Sequence, residues 1–352
     1  MRSVTKMALA AAILATLSWA SPLLAADGPK PLFASDEVLS LSLAGPLDNI
    51  SRDVGAKPVA GVLKVNGSTP EALPVALSVR GITRRRSEIC SFPPLRVEFT
   101  EKPGPTSLFK GQKHLKLVTH CQQSADFQQY LLLEYIAYRL YGALTPDSFR
   151  VRLATIDYTG RGGHALTTRL GFFIEDVDDI AKRNGQQRVK GVGRISVSQL
   201  DAAAAARFAV FEYMISNLDW AMTAGPKGKD CCHNSRLMGA EGATGASTGL
   251  IPVPYDFDYA GLVDAPYAAP PESIHVSSVR VRRYRGFCAH NEEATALLAQ
   301  LFTRRDALLA ILNETPQLYD RTRKNATGYL SEFFEVAGSP SKVADLMKVC
   351  LH

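Results

Sequence analysis

Two carboxylates one residue apart, Asp256 and Asp258, close the run Leu250-Ile251-Pro252-Val253-Pro254-Tyr255-Asp256-Phe257-Asp258, and Gly261 follows. Paired acids at the end of an apolar strand are costly to bury unless something neutralises them, and a divalent cation is the usual answer. Upstream, Asp219 follows an apolar helical stretch, and Asn234 comes fifteen residues later. Phosphoryl transfer needs one carboxylate to orient the attacking hydroxyl. It also needs an amide oxygen and a carboxylate to hold Mg²⁺ against the phosphates. Asp219, Asn234, Asp256 and Asp258 supply those residue types in that order.

The elements that must position them can be read from the hydrophobic pattern. Strand-like runs cover residues 38–44, 61–65, 73–79, 95–99 and 115–119, with the turn pair Asn66-Gly67 after the second. A helix is expected over 128–141, where Tyr130, Leu133, Ala137 and Leu140 recur at helical spacing. Two strands over 148–158 and 169–175 are joined by a hairpin turn at Gly160-Arg161-Gly162-Gly163. From about residue 198 the character is helical. A capping box is expected at Ser198–Asp201, then helices over 202–218, 293–313 and 341–350. Residues 225–249, rich in glycine and without periodicity, read as a mobile loop.

Within the 128–141 helix, Glu134 lies on a largely apolar element and needs a partner. Lys116 lies eighteen positions earlier, on the preceding strand. A strand lysine paired with a glutamate on the next helix is how protein kinases hold nucleotide phosphates. Lys113 competes for that role. The basic run Arg80-Gly81-Ile82-Thr83-Arg84-Arg85-Arg86 reads as a solvated loop or as a loop facing phosphates, since guanidinium pairs with phosphate as a fork. A second cluster, Arg280, Arg282, Arg283 and Arg285, reads as solvated or as facing an acidic or phosphorylated partner. The run Glu175-Asp176-Val177-Asp178-Asp179 reads as a helix start or as a hinge between lobes.

Composition bounds the rest. The chain has 352 residues, 46% of them hydrophobic, an ordinary value for a globular protein. Residues 1–26 have a basic start at Arg2 and Lys6, an apolar core over 8–19 and small residues at Leu24-Ala25-Ala26, the pattern of a secretory signal. Its removal takes the net charge from +6 to +4, which does not argue for nucleic acid. No later run is long and apolar enough to span a bilayer. The protein is therefore expected to be exported, periplasmic or secreted. Six cysteines, Cys90, Cys121, Cys231, Cys232, Cys288 and Cys350, then suggest up to three disulfides with the pairing open. A metal site at Cys231-Cys232-His233 is the rival reading, but adjacent cysteines lack the two-residue gap of zinc sites.

These motifs together resemble the CotH family of atypical protein kinases, known from spore-coat proteins, and the pattern runs through most of the chain after the signal. Arg80-Gly81 with its basic run resembles the family's Arg-Gly-Asn-Ser segment. Residues 171–177 resemble its Gly-x-Tyr-x-x-x-Glu strand, and Asn217-Leu218-Asp219 with Asn234 its Asn-x-Asp…Asn stretch. Most specifically, residues 251–258 are similar to its Ile-Pro-Trp-Asp-Phe-Asp motif. Tyr255 stands where the family has tryptophan, and Ile82-Thr83 where it has Asn-Ser. A lysine common in the family falls near Glu98, with Arg96 close by, so the phosphate-holding cation stays open.

The resemblance implies an α+β, two-lobed, kinase-like fold. Residues 27–176 would form a strand-rich lobe with one helix, and residues 177–352 a helical lobe carrying the acidic site. It implies ATP, Mg²⁺ and transfer of phosphate to a hydroxyl of a protein substrate. Asp219 would be the catalytic carboxylate. Asn234 and one or both of Asp256 and Asp258 would hold metal, and Glu175 and Asp176 would lie near the adenine-side hinge. A catalytically inactive binding or surface protein on the same scaffold and another ATP-dependent transferase are the alternatives. A metal-dependent hydrolase is a further one, with His233 as its only obvious histidine.

Overall fold

The computed structural model describes residues 29–50 and 57–352; the expected signal segment lies outside the described residues. The fold is α+β. Seven strands close into a barrel in the order β1-β2-β3-β4-β5-β7-β6. They are β1 (Leu39–Ala44), β2 (Val59–Val65), β3 (Glu71–Val79), β4 (Leu95–Phe99), β5 (His114–Val118), β6 (Val151–Thr159) and β7 (Ala165–Ile174). Neighbours are antiparallel except β1 and β6, whose parallel pairing closes the barrel. Closure leaves no free sheet edge.

The two-residue period of a strand explains how one barrel serves two cores. Leu41, Leu63, Val97, Leu117, Ile156 and Phe173 point inward and fill it. Their neighbours Val118, Leu153 and Phe172 point outward, onto α1 (Phe127–Leu144), which inserts between β5 and β6. This outer core continues into the C-terminal half, through α3 (Ala202–Ile215), α4 (Asn291–Thr303), α5 (Arg305–Glu314) and α6 (Asp320–Ala337). The first helix thus precedes two barrel strands in sequence but shares its core with the later helices.

After β7 come α2 (Val177–Arg183), a short strand β8 (Gln187–Val189) and α3. The N-cap of α3 is Asp201, whose side chain accepts from the Ala204 amide. The capping box falls two residues earlier than the sequence suggested, on Ser196 and Gln199. α3 ends at Ser216 in the left-handed conformation (φ 53°), short of the expected Leu218. Strands β9 (Ser235–Gly239) and β10 (Ile251–Pro254) then form a hairpin, and β9 also pairs with β8. The stretch expected to be one mobile loop therefore contains a strand.

Towards the C-terminus, the single helix expected over 293–313 is two helices that break at Arg304, which donates to the Ala143 carbonyl. The long α6 was not expected from sequence. Its last helix partner is α7 (Pro340–Met347). Three disulfides join Cys90 to Cys121, Cys231 to Cys232 and Cys288 to Cys350, so no cysteine is left for a metal site. No helix among the described residues is long and apolar enough to cross a membrane.

Candidate functional site

The β9–β10 hairpin sets the geometry. Ser235 pairs with Pro254, and the Tyr255 amide donates to the Asn234 carbonyl at 3.1 Å, one step beyond. Antiparallel register therefore brings Asn234 and Asp256 to the same end of two adjacent strands. Both are in the left-handed conformation, with φ of 47° and 68°. Asp256 is held there by its amide, which donates to the Tyr138 hydroxyl of α1 at 2.9 Å.

Asp219 comes from the loop after α3. Its own amide donates to the Asn217 side chain at 3.1 Å, and the Trp220 indole donates to the Asn217 carbonyl at 2.9 Å. Arg285 donates to the carbonyls on either side of it, Leu218 at 2.6 Å and Trp220 at 3.0 Å, and lies over the Trp220 ring. The Asn234 amide donates to the Asp219 carbonyl at 2.6 Å and to its carboxylate at 3.0 Å. His233 Nε2 lies 2.7 Å from the other carboxylate oxygen, a bond that holds the imidazole above its ordinary pKa. The Asn234 side-chain oxygen accepts no hydrogen bond among the described residues, which leaves it available to a cation.

Asp219, Asn234, Asp256, Asp258 and Lys116 all line one cleft of about 680 Å³, together with Arg80, Arg84 and Arg236. Lys116 enters from β5 and Arg236 from β9, and both lie over the Tyr255 ring, the ammonium at 5.2 Å and the guanidinium at 4.4 Å. Among the described residues Arg80, Lys116 and Arg236 make no ion pair. Burial, then the charges of Arg80 and Arg236, hold Lys116 down at about 7. Arg80, Lys116 and Arg236 together give this part of the cleft a basic surface suited to an anion, with the charges of Asp176 and Asp256 also acting on Lys116. Tyr255 is the ring that Lys116 and Arg236 share.

Lys116 and Glu134 do not pair. Glu134 belongs instead to Arg84, which donates to its two oxygens at 2.8 and 3.3 Å. Arg84 also reaches Asp256 at 3.3 Å and Asp258 at 3.0 Å. The reason is position: Lys116 is drawn onto the rings of Tyr255 and Phe149, while the β3–β4 segment carries Arg84 to the buried face of α1. Burial opposes the Arg84 charge, but Asp258 and Glu134 hold it well above its ordinary range. Burial also pushes Glu134 and Asp258 upward, against the pull of Arg84. Three carboxylates share one guanidinium, and their mutual repulsion adds to the upward push on Glu134 and Asp258. Sequence reading singled out the basic run but not Arg84 within it. The signal was a buried Glu134 in want of a partner.

Glu175 and Asp176 do not line this cleft. Glu175 is buried, paired with Arg183 at 3.1 Å, and accepts from the Arg150 amide. Asp176 caps α2 through the Asp178 amide. The second basic cluster is not simply solvated. Arg280 and Arg282 lie over the Tyr329 ring at 4.4 and 3.8 Å, and Arg285 braces Asp219 as above.

Behind the site, Glu212 on α3 is fully buried, with the Asn217 side chain and Arg285 as the polar groups that act on it. Burial raises it well above the carboxylate range, so it is neutral when folded. The unfolded chain ionises it above its ordinary pKa, so folding at neutral pH takes up a proton, and stability falls as pH rises from the usual carboxylate range. Glu212→Gln copies the neutral form. It is expected to raise the melting temperature, by more at pH 8 than at pH 5; an equal change at both would contradict the assignment.

No protein-family profile matches the chain, and no curated protein matches it. Among solved structures, it is similar to a Helicobacter pylori proinflammatory kinase, CtkA, at 9% identity and a TM-score of 0.38, over 72% of this chain and 92% of that one. That level lies below what establishes a shared fold.

Proposed function

We propose that the protein is an exported, CotH-like kinase that transfers phosphate from ATP with Mg²⁺ to the hydroxyl of a protein substrate. The observation that carries the reading is the juxtaposition in one cleft. The cations Arg80, Lys116 and Arg236 make no ion pair among the described residues, and they line the cleft with the oxygen donors Asn234 and Asp256 and with Asp219. A polyphosphate needs cations, its metal needs hard oxygen ligands, and an attacking hydroxyl needs a carboxylate. In this reading residues 27–176 and 177–352 are the two lobes, and the Glu175–Asp176 turn is the hinge between them. Three disulfides are consistent with export.

The donor set suits a hard cation: the open Asn234 oxygen and the half-exposed Asp256 carboxylate stand at the same end of the hairpin. Bound there, Mg²⁺ would offset the negative charge of the phosphate oxygens. The chain's own groups do the rest. Lys116, Arg80 and Arg236 hold the phosphates. The Asp219 carboxylate, fixed by Asn234 and His233, orients the acceptor hydroxyl and takes its proton as the oxygen bonds to the γ-phosphorus. The bond to the bridging oxygen breaks, and ADP leaves with that electron pair.

Lys116→Met tests the phosphate-holding role. It is expected to weaken ATP binding by about tenfold or more, the worth of a charge-assisted hydrogen bond, in calorimetry. It has a second readout. With its folded pKa held at about 7, Lys116 binds fewer protons folded than unfolded. Stability of the free protein should rise from pH 7 to about 10, and the variant should flatten that slope. An unchanged affinity would remove Lys116 from the site.

A further inference from the structure

Glu134, Asp256 and Asp258 each bring an oxygen within 4.8 Å of the others, a spacing that fits a divalent ion. The space among them is taken. Arg84 Nη1 and Nη2 grip Glu134, Nη2 also meets Asp256 and Nε meets Asp258, at 2.8 to 3.3 Å. All three nitrogens of the fork point at carboxylates, and the side chain is 9% exposed. An ion placed among these oxygens would overlap the guanidinium. The three acids come from separate places, α1 and the two ends of the Asp256–Asp258 turn, and Arg84 from the β3–β4 segment. That segment is secured at its far end by the Cys90–Cys121 disulfide, with the Phe92 amide donating to the Cys121 carbonyl at 2.9 Å. Asp256 is the shared member. One of its oxygens faces Arg84, and its 40% exposure turns the carboxylate to the cleft, beside Asn234.

We infer that Arg84 is a built-in substitute for a second divalent cation: it occupies the three-carboxylate pocket permanently, so the cleft takes one ion, on Asn234 and Asp256. The wild-type count of one rests on the kinase reading above; the occupancy of the pocket by Arg84 does not. A fixed guanidinium supplies charge without being lost to chelators, and it ties α1 to the acidic turn whether or not nucleotide is bound. Its charge is one unit, where a metal would bring two.

The test counts Mn²⁺ bound per chain, from the loss of the free-ion signal in electron paramagnetic resonance, with and without ADP. The wild-type chain should bind one ion. Arg84→Gln should bind one more, and adding Glu134→Gln to that variant should abolish the gain. Glu134→Gln alone should leave the wild-type count unchanged. The inference is overturned if Arg84→Gln gains no ion. It is also overturned if the wild-type chain binds two and Glu134→Gln removes one, a comparison that holds even where Arg84→Gln does not fold. A wild-type count of zero with a gain of one in Arg84→Gln would support the role of Arg84 and refute the kinase reading.

Discussion

Arg84→Ala should be the most destabilising single substitution at the site, by about 3–5 kcal/mol in denaturant unfolding, the usual cost of removing one partner of a buried ion pair. Arg84 and Glu134 are both almost wholly buried, and Asp258 is 7% exposed, so solvent screens little of the loss. Truncation leaves carboxylates facing one another without their cation. Burial already pushes Glu134 and Asp258 upward and Arg84 opposes that push, so the loss should shrink at pH 4 and grow towards pH 8. Asp258→Asn in the Arg84→Ala background should recover part of the stability by removing one of the stranded charges. A loss below about 1 kcal/mol would mean that the carboxylates are solvated or otherwise paired, against the geometry seen here.

Asp219→Ala should leave the fold intact and lower phosphate transfer by about 10²–10⁴-fold, the range for a positioned proton acceptor. Asp219 lies on an exposed-edge loop, its side chain 32% accessible, and its bonds to His233 and Asn234 are the ones lost. Its partner in positioning, Arg285, holds the main chain on both sides and is untouched. The loss should therefore fall in kcat, with ATP affinity changed by less than about threefold, as expected of a group that acts in the transition state. Unchanged turnover would place the chemistry elsewhere. A matching loss of ATP affinity would assign Asp219 to binding.

Much of this was legible in the sequence, and the reasons differ by element. Strand β4 could be read to the residue, because Leu95, Val97 and Phe99 alternate with polar neighbours and face one core. α1 was readable from its helical spacing. α6 was missed although Ala326, Tyr329, Leu330, Phe333, Phe334 and Ala337 keep the same spacing. Its first half, Asp320-Arg321-Thr322-Arg323-Lys324-Asn325, is polar and hides the stripe. β9 was missed because a strand of five residues between two glycine-rich loops offers no run long enough to show a period. Yet β9 places Asn234 opposite Asp256, so the hairpin is the element on which the site depends.

For the site itself, residue types were visible but pairings were not. Asp219, Asn234, Asp256 and Asp258 were found by order and type, and the fold brings them to one cleft. Which cation meets Glu134 was decided by geometry that sequence separation does not encode. Arg84 lies fifty positions from Glu134 and 172 from Asp256, and Lys116, much nearer in sequence, is turned onto aromatic rings instead. Arg285 was hidden in a cluster whose charge suggested solvent, whereas it lies over the Trp220 ring and its neighbours Arg280 and Arg282 lie over Tyr329.

Binding of ATP with Mg²⁺ to the chain from residue 27 onward is the most direct test of the proposed site. Thermal unfolding should shift upward with ATP and Mg²⁺, in proportion to the logarithm of ligand concentration, reaching about 2.7 kcal/mol at a hundredfold excess over the dissociation constant. Asp256→Ala should remove the metal-dependent part of the shift and leave a weaker response to ATP alone. Absence of any shift with nucleoside triphosphates, with Mg²⁺ or Mn²⁺, would contradict a nucleotide-binding cleft.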